Sequence, residues 1–274
     1  EIPLRLVGSE MCIRDSSTPV NKKDDGFWGN TITVINNFAD KVLNLTLKDV
    51  KIDVSDTGGD NFEFEDDQRG KAALSVQGKG NVEIELDGNN ELKSGKGRAG
   101  LEKTSTGTLT LKDDKEAGSG SLTAEGGGWA AGIGGSDGKG TNNIIISGGT
   151  VTAEGGNYGA GIGGGYGGVG DHITIGGGAV TAEGGENGAG IGGGYSGVGD
   201  HITITGGKVT AEGGISGAGI GGGYWGRGRN ITVSGAAQVT AVAGKSDEDN
   251  FSGFGATIGD GSVSYTHLTL PTIL

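Results

Sequence analysis

The feature that most limits the possible folds of this chain is a 29-residue repeat in its second half. An Ala-Glu pair and an Ala-Gly-Ile-Gly segment both recur at this spacing, with no change of phase predicted between Leu122 and Val239. The pairs begin at Ala124, Ala153, Ala182 and Ala211, and the segments begin at Ala131, Ala160, Ala189 and Ala218. A fixed period of this length is typical of solenoids, in which each repeat stacks on its neighbours.

Each repeat contains three short segments with the alternating pattern of a half-buried β-strand. In one repeat these segments are 172–175, 180–183 and 189–192, and Gly-rich turns separate them. The residues expected to point inward are Ile173, Ile175, Val180, Ala182, Ala189 and Ile191. We therefore predict an all-β fold, a right-handed parallel β-helix with three strands per coil. Ile173, Ile202 and Ile231 are expected to stack inside it.

The same pattern continues upstream in degenerate form and predicts about seven coils in total. The predicted upstream strands are 43–47, 51–54, 72–76, 82–86, 91–93, 99–103, 108–111, 122–125 and 131–134. At about 4.8 Å per coil, the rod would be roughly 35 Å long. A partial leading coil is expected within 17–42, β-helix repeats over 43–261 with 122–240 the most regular, and protruding loops at 55–70 and 244–253.

Both ends of the chain resemble translated adapters of a shotgun sequencing library. Residues 11–15 can be encoded by ATG TGT ATA AGA GAC, and the reverse complement of that DNA encodes residues 263–267. Two protein segments have no physical reason to be mutual reverse complements, whereas one DNA tag present in both orientations explains the pair. We therefore expect 1–16 and 262–274 to be non-native and poorly packed, and the native part to be a metagenomic fragment cut at both ends.

Composition argues against several classes of protein. A net charge of −13 repels phosphate backbones, so nucleic-acid binding is not expected. Glycine contributes 64 of 274 residues without a Gly-X-Y period, which excludes collagen. No apolar run approaches the roughly 20 residues of a membrane helix. The one cysteine, Cys12, lies in the adapter segment, so native disulfides are not expected either.

The Gly-rich segment 188–195 follows an Ile-Thr-Ile strand and a Val-Thr-Ala-Glu-Gly-Gly segment. In this arrangement the chain resembles Gly-rich repeats of surface proteins in gut Firmicutes, over about 122–261. It is more loosely similar to the β-helical carbohydrate-binding domains of anaerobic bacteria, but it departs from their motifs, so their sugar- and calcium-binding residues are not carried over. The resemblance implies an exported bacterial protein, extracellular or on the cell surface, linked to adhesion or polysaccharide contact.

An acidic stripe is the first candidate site. Glu125, Glu154, Glu183 and Glu212 would stack on one outward face about 4.8 Å apart, and like charges at that spacing repel. The favoured interpretation is a solvated face that aids solubility. The alternative is weak binding of divalent cations, with hard oxygen ligands favouring Ca²⁺. The fold itself requires no cofactor.

An aromatic row is the second candidate site, and it consists of Tyr166, Tyr195 and Tyr224 with Trp225 beside them. These residues follow strands whose outward positions are glycines. Those glycines include Gly161, Gly163, Gly190 and Gly192. Aromatic rings beside a flat Gly-lined face would suit a polysaccharide or a host cell-surface glycan. The alternative, which we favour slightly, is that each Tyr folds back over the Gly backbone as packing.

A third candidate lies at the start of two strands. The segment 167–175 nearly matches a calcium-binding nonapeptide, but Asp171 falls one position early and the unit recurs only once in each long repeat. Asp171 is therefore expected to pair with turn N–H groups, as is Asp200. His172 and His201 follow these residues, at the position that Asn143 and Asn230 occupy in neighbouring coils. A His pair is capable of binding metal, but a solvated strand start is the favoured interpretation.

The pattern favours a protein that is not an enzyme. The sequence has no Ser/His/acid spacing typical of catalysis. A polysaccharide lyase on this fold would break the repeat where its catalytic groups lie, and here the most regular region is the least catalytic. We predict a structural or adhesive segment of an exported cell-surface protein. The alternatives are a carbohydrate-binding module that uses the Tyr/Gly face, and part of a pectate-lyase-like polysaccharide-degrading enzyme whose site lies elsewhere.

Overall fold

A computed structural model describes residues 4–7, 12–15, 26–59, 69–114, 120–244 and 255–262. Throughout these ranges the regular secondary structure consists of β-strands, without a helix. The first strands are β1 (Leu4–Val7), β2 (Cys12–Asp15) and β3 (Ile32–Asn36). The next three coils are formed by β4 (Val42–Lys48), β5 (Lys51–Asp53), β6 (Leu74–Gly78), β7 (Asn81–Asp87), β8 (Asn89–Lys93), β9 (Leu101–Lys103), β10 (Leu109–Lys112), β11 (Ser121–Glu125) and β12 (Ile133–Gly134).

The regular repeats continue the same three-strand order. They contain β13 (Ile144–Ile146), β14 (Thr150–Glu154), β15 (Ile162–Gly163), β16 (Gly170–Ile175), β17 (Ala179–Glu183), β18 (Ile191–Gly192), β19 (Gly199–Ile204), β20 (Lys208–Glu212), β21 (Ile220–Gly221), β22 (Thr232–Val233), β23 (Gln238–Val242) and β24 (Ile258–Gly259). The upstream strands lie close to their predicted bounds, because the alternation of apolar residues marks them even where the repeat is degenerate.

Every third strand joins the same sheet, which makes the chain a parallel β-solenoid with three sheets. Sheet 1 runs from β4 through β7, β10, β13, β16 and β19 to β22; sheet 2 runs from β5 to β23; and sheet 3 runs from β3 to β24. The seven strands from β4 to β22 correspond to about six turns of the solenoid. The predicted parallel solenoid, with three strands per coil and one sequence repeat per coil, is therefore confirmed.

Identical residues stack in register along the interior. Ile144 pairs with Ile173 in sheet 1 and Ile173 pairs with Ile202, while Ile162 pairs with Ile191 in sheet 3. All of these side chains are buried, as are the other residues predicted to point inward in the repeat that contains Ile173. Burying each Ile stabilises the fold by about 1.5–3 kcal/mol. A coil buries its apolar side only against the coils above and below, so stability is shared between neighbours.

The last coil departs from the predicted phase. Val209 pairs with Val239, one position later than the repeat predicts, so the prediction of an unbroken phase to Val239 is wrong. The extra residue lies in the turn that contains Gly235, whose φ is +67°. Ile231 packs against the core but is only partly buried, and Val233 on β22 is 42% exposed. Both lie in a coil whose sheet 1 strand pairs on one side, with β19.

The segments interpreted as adapters contribute backbone pairing at the ends of the solenoid. β1 pairs antiparallel with β4, and β2 pairs antiparallel with β3. Ser262 is buried, and its N–H donates to the carbonyl of Ser216 over 2.7 Å. The sequence analysis did not predict this pairing, and the adapter interpretation stays a prediction. Most of the two predicted loops, at 60–68 and 245–253, lies outside the described residues.

Candidate functional site

The four glutamates of the acidic stripe stack in register, as predicted. Glu125 pairs with Glu154, Glu154 with Glu183, and Glu183 with Glu212. Burial raises the pKa of Glu154, and the neighbouring carboxylates of Glu125 and Glu183 raise it further. Lys93 relieves the charge at one end of the stripe, because its Nζ lies 2.8 Å from Oε1 of Glu125.

In-register stacking limits how the acidic stripe can hold a cation. Each Glu sits on its own coil, about 4.8 Å from the next, so a third carboxylate is already two coils away. Among the described residues, the group whose metal-ligating atoms come within 4.8 Å of one another lies elsewhere, at Asp171, His172 and His201. A bound Ca²⁺ would therefore bridge two neighbouring glutamates. Calcium binding at the stripe stays a prediction.

The predicted tyrosine row is present, and its rings contact one another. The rings of Tyr166 and Tyr195 are stacked with centroids 5.2 Å apart and planes 3° apart. Tyr195 and Tyr224 meet at 70° with centroids 5.6 Å apart, and Trp225 meets Tyr224 at 65°. Since one face of Tyr166 and one face of Tyr195 cover each other, neither ring of this pair can offer both faces to a ligand.

The sequence analysis missed a fourth tyrosine in this cluster. Tyr158 meets Tyr166 and Tyr195 edge to face, with centroids 5.9 and 5.7 Å away. It occupies the repeat position that Trp129 occupies one coil earlier, and the backbone N–H of Tyr166 donates to the carbonyl of Trp129. The spacing of Trp129 and Tyr158, which equals one repeat, was the signal that could have revealed this second aromatic column. We call Tyr158, Tyr166, Tyr195, Tyr224 and Trp225 the aromatic strip.

The flat Gly-lined face that the sequence predicted beside the tyrosines is not present. The glycines at 161, 163, 190 and 192 are buried. A Cβ atom added to Gly163 would lie 1.9 Å from the carbonyl oxygen of Gly192 in the next coil, and one on Gly192 would lie 2.0 Å from that of Gly221. Glycine is needed here because adjacent coils approach too closely for any side chain, and not because a ligand reaches the backbone.

Trp225 has an unusual combination of backbone conformation and exposure. Its φ is +64°, in the left-handed region, and 55% of the residue is exposed. The preceding coils have Ser196, Gly167 and Gly138 at this position, with φ of +56°, +65° and +68°. A left-handed conformation costs a residue with a Cβ roughly 1–2 kcal/mol, and it is a clear outlier for a bulky side chain.

The third candidate position forms a ladder of left-handed residues. Asn143, His172, His201 and Asn230 have φ of +53°, +49°, +46° and +48°. Asn and His are among the side chains that tolerate this region best. The imidazole rings of His172 and His201 are exposed and stacked, with centroids 4.5 Å apart and planes 18° apart. Both rings are exposed at the start of their strands, and the fold holds the two imidazoles close together.

Both aspartates beside this ladder are hydrogen-bonded. Oδ1 of Asp171 lies 2.8 Å from Nδ1 of His172 and 3.1 Å from Nδ1 of His201. Burial raises the pKa of Asp171, but the hydrogen bonds from the two imidazoles outweigh this effect, and the pKa lies below its ordinary value. Asp200 accepts the backbone N–H of His201, as predicted for a turn carboxylate. Asp171 mainly contacts imidazoles, which the sequence analysis did not anticipate.

The three sheets and the rows of stacked side chains on their surfaces define a β-solenoid repeat protein. The Beta helix repeat family matches residues 144–166, 173–195 and 202–224, in three units whose starts are one repeat apart. Residues 144–224 are therefore a β-helix repeat region, as the sequence predicted. Searches for similar curated proteins and for similar solved structures returned no match. The described part of the chain contains no helix of sufficient length and apolarity to cross a membrane.

Proposed function

We propose that the chain is a non-enzymatic structural or adhesive segment of an exported bacterial cell-surface protein. The observation that carries this proposal is the regularity of the solenoid. From β13 to β21 most residues of each sheet pair in register with the same or a similar residue in the next coil. A rod in which every coil is joined to the next in three sheets keeps its ends apart, which suits a stalk or a display segment.

Surface labelling of the organism that carries the gene tests this proposal. Antibodies raised against the solenoid are expected to label intact cells, and protease added outside the cells is expected to remove the label. A cytoplasmic enzyme that serves as a marker should stay unlabelled and intact in the same cells. Labelling that requires permeabilised cells would contradict the proposal.

The second candidate function is carbohydrate binding by the aromatic strip, and Trp225 is the observation that favours it. Trp225 has a strained backbone conformation and an exposed side chain, at a position where two earlier coils have glycine. A contact that buries the indole ring would offset both costs, and aromatic rings with a polar edge suit sugar rings. The hydroxyl groups of the neighbouring tyrosines would supply the polar rim. The ligand class would be a polysaccharide or a host or cell-surface glycan.

Replacing Trp225 with Gly is expected to abolish glycan binding without unfolding the solenoid. Gly already fits this position in two other coils, and relief of strain offsets the lost contact with Tyr224, so stability should stay within about 1 kcal/mol of the wild type. The measurement is a glycan array, followed by titration of the best ligand and a thermal melt. Affinity should rise with oligosaccharide length, because successive contacts add.

A matched control is Phe38→Ala, which removes an exposed aromatic residue far from the aromatic strip. This variant should bind glycans as the wild type does. The Tyr195→Ala/Tyr224→Ala double variant separates the two interpretations of the tyrosines: a folded variant without binding supports a binding surface. If the double variant unfolds while Trp225→Gly still binds glycans, the tyrosines are packing residues. The aromatic strip is then not the glycan-binding site, and this proposal is wrong.

A further inference from the structure

We propose that Asp171, His172 and His201 form a binding site for a divalent transition metal, with Zn²⁺ as the best-fitting ion. One carboxylate oxygen and two imidazole nitrogens from adjacent coils lie within 4.8 Å of one another. The two Nδ1 atoms converge on the same oxygen, Oδ1 of Asp171, at 2.8 and 3.1 Å. This juxtaposition is separate from the acidic stripe and from the aromatic strip.

The solenoid backbone holds the three ligand residues close together before any metal binds. Asp171 pairs with Asp200 and Ile173 with Ile202, so the sheet fixes the chain on both sides of the two histidines. Between these pairs His172 and His201 adopt the left-handed conformation, which directs both imidazoles towards the same side of the coils and allows them to stack. A site whose ligands are positioned by regular strands loses little entropy on binding.

The chemistry of the ligands selects the metal. Zinc prefers imidazole nitrogen and carboxylate oxygen at about 2.0–2.2 Å, whereas calcium and magnesium prefer oxygen ligands alone. Tetrahedral coordination at those bond lengths places neighbouring ligand atoms roughly 3.3–3.5 Å apart. The observed distances from Asp171 to the imidazoles are a few tenths of an ångström shorter, as expected for hydrogen bonds that a metal replaces. Three protein ligands leave a fourth position for water.

Binding requires the imidazoles to rotate out of their stacked arrangement, because stacked rings direct their nitrogen lone pairs in parallel. About half of each side chain is exposed, 56% for His172 and 49% for His201, which leaves room for this rotation. Asp200 lies beside the site in the next coil, since its Oδ1 is 3.3 Å from Nδ1 of His201 and accepts a hydrogen bond from Asn230.

Neighbouring coils supply the variants for the test. Asn143 and Asn230 occupy the histidine position in adjacent coils with nearly the same φ, so His172→Asn and His201→Asn should leave the metal-free melting temperature unchanged. Calorimetric titration of the full chain with zinc chloride near neutral pH should show saturable binding of one ion and a rise in melting temperature. Each single variant should weaken binding at least about tenfold, and the double variant should abolish it.

His267→Ala serves as the control, because it removes the remaining histidine of the chain and leaves Asp171, His172 and His201 unchanged in the sequence. Its zinc affinity should equal that of the wild type. A tetrahedral absorption spectrum of bound Co²⁺ that disappears in the His172→Asn/His201→Asn variant would further support the site. The proposal is wrong if the wild type shows no saturable zinc binding, or if zinc binds equally well after both histidines are replaced.

Discussion

Replacing Ile202 with Asp is expected to unfold the coils on both sides of β19. Ile202 is fully buried and lies in the stacked interior ladder, where it pairs with Ile173 of β16. The substitution removes about 1.5–3 kcal/mol of apolar burial and adds a carboxylate without a partner, which costs several kcal/mol more. Together these costs approach the whole stability of an ordinary domain, about 5–15 kcal/mol. Circular dichroism and thermal melting would measure the loss.

Thr203→Asp is the matched control, because it introduces the same charge at the next position of the same strand. Thr203 points outward and is partly exposed, so this variant should lose no more than about 1 kcal/mol. Hydrogen exchange should show that Ile202→Asp removes protection first from the coils that contact β19, because each coil contacts only its neighbours. A melting temperature equal to that of Thr203→Asp would contradict the buried position of Ile202.

The sequence predicted the fold well because a solenoid converts sequence period directly into strand register. Residues one period apart, such as Ile173 and Ile202, become neighbours in one sheet, so finding the period also finds the contacts. The prediction failed where that period lengthened by a single position, at the turn containing Gly235. The residues there still alternate correctly, and only the pairing of Val209 with Val239 reveals the extra position.

The candidate sites were less predictable, since their geometry depends on side-chain rotamers as well as on strand register. The stacking of Glu154 on Glu183 followed from register alone. The stacking of Tyr166 on Tyr195, which hides a face of each ring, depends on side-chain rotation that the repeat does not specify. In a sequence, a glycine such as Gly163 can indicate either an open surface or a very close neighbour. The carbonyl oxygen of Gly192 lies so close to Gly163 that the second explanation is the correct one.

A buried lysine that the repeat pattern did not single out is expected to lower the stability of the fold. Lys103, on β9, is 2% exposed, and burial lowers its pKa from the ordinary 10.5 to about 8. Its Nζ donates to the carbonyl of Ser105 over 2.8 Å and lies 3.4 Å from Oδ1 of Asn142. Both of these partners are neutral, so they compensate only part of the cost of burying a cation.

Lys103→Met is therefore expected to stabilise the protein by about 2 kcal/mol at pH 7. Relief of the buried charge contributes roughly 3 kcal/mol, and loss of the hydrogen bond to Ser105 removes about 1 kcal/mol. The same pKa makes the wild type more stable as the pH rises from about 8 towards 10.5, since the unfolded chain then binds more protons than the folded one. Urea unfolding across this pH range would measure both effects.

The comparison of Lys103→Met with Lys208→Met isolates the contribution of burial. Lys208 is exposed on β20, so its replacement removes the same charge from the chain without relieving a buried cation. Every titratable group other than Lys103 and Lys208 is present in both variants, so its contribution cancels in the comparison. The difference in unfolding free energy between the two variants should therefore shrink as the pH approaches 10.5, because Lys103 is then neutral in the folded protein. A difference that stays constant from pH 7 upwards would show that burial does not lower the pKa of Lys103.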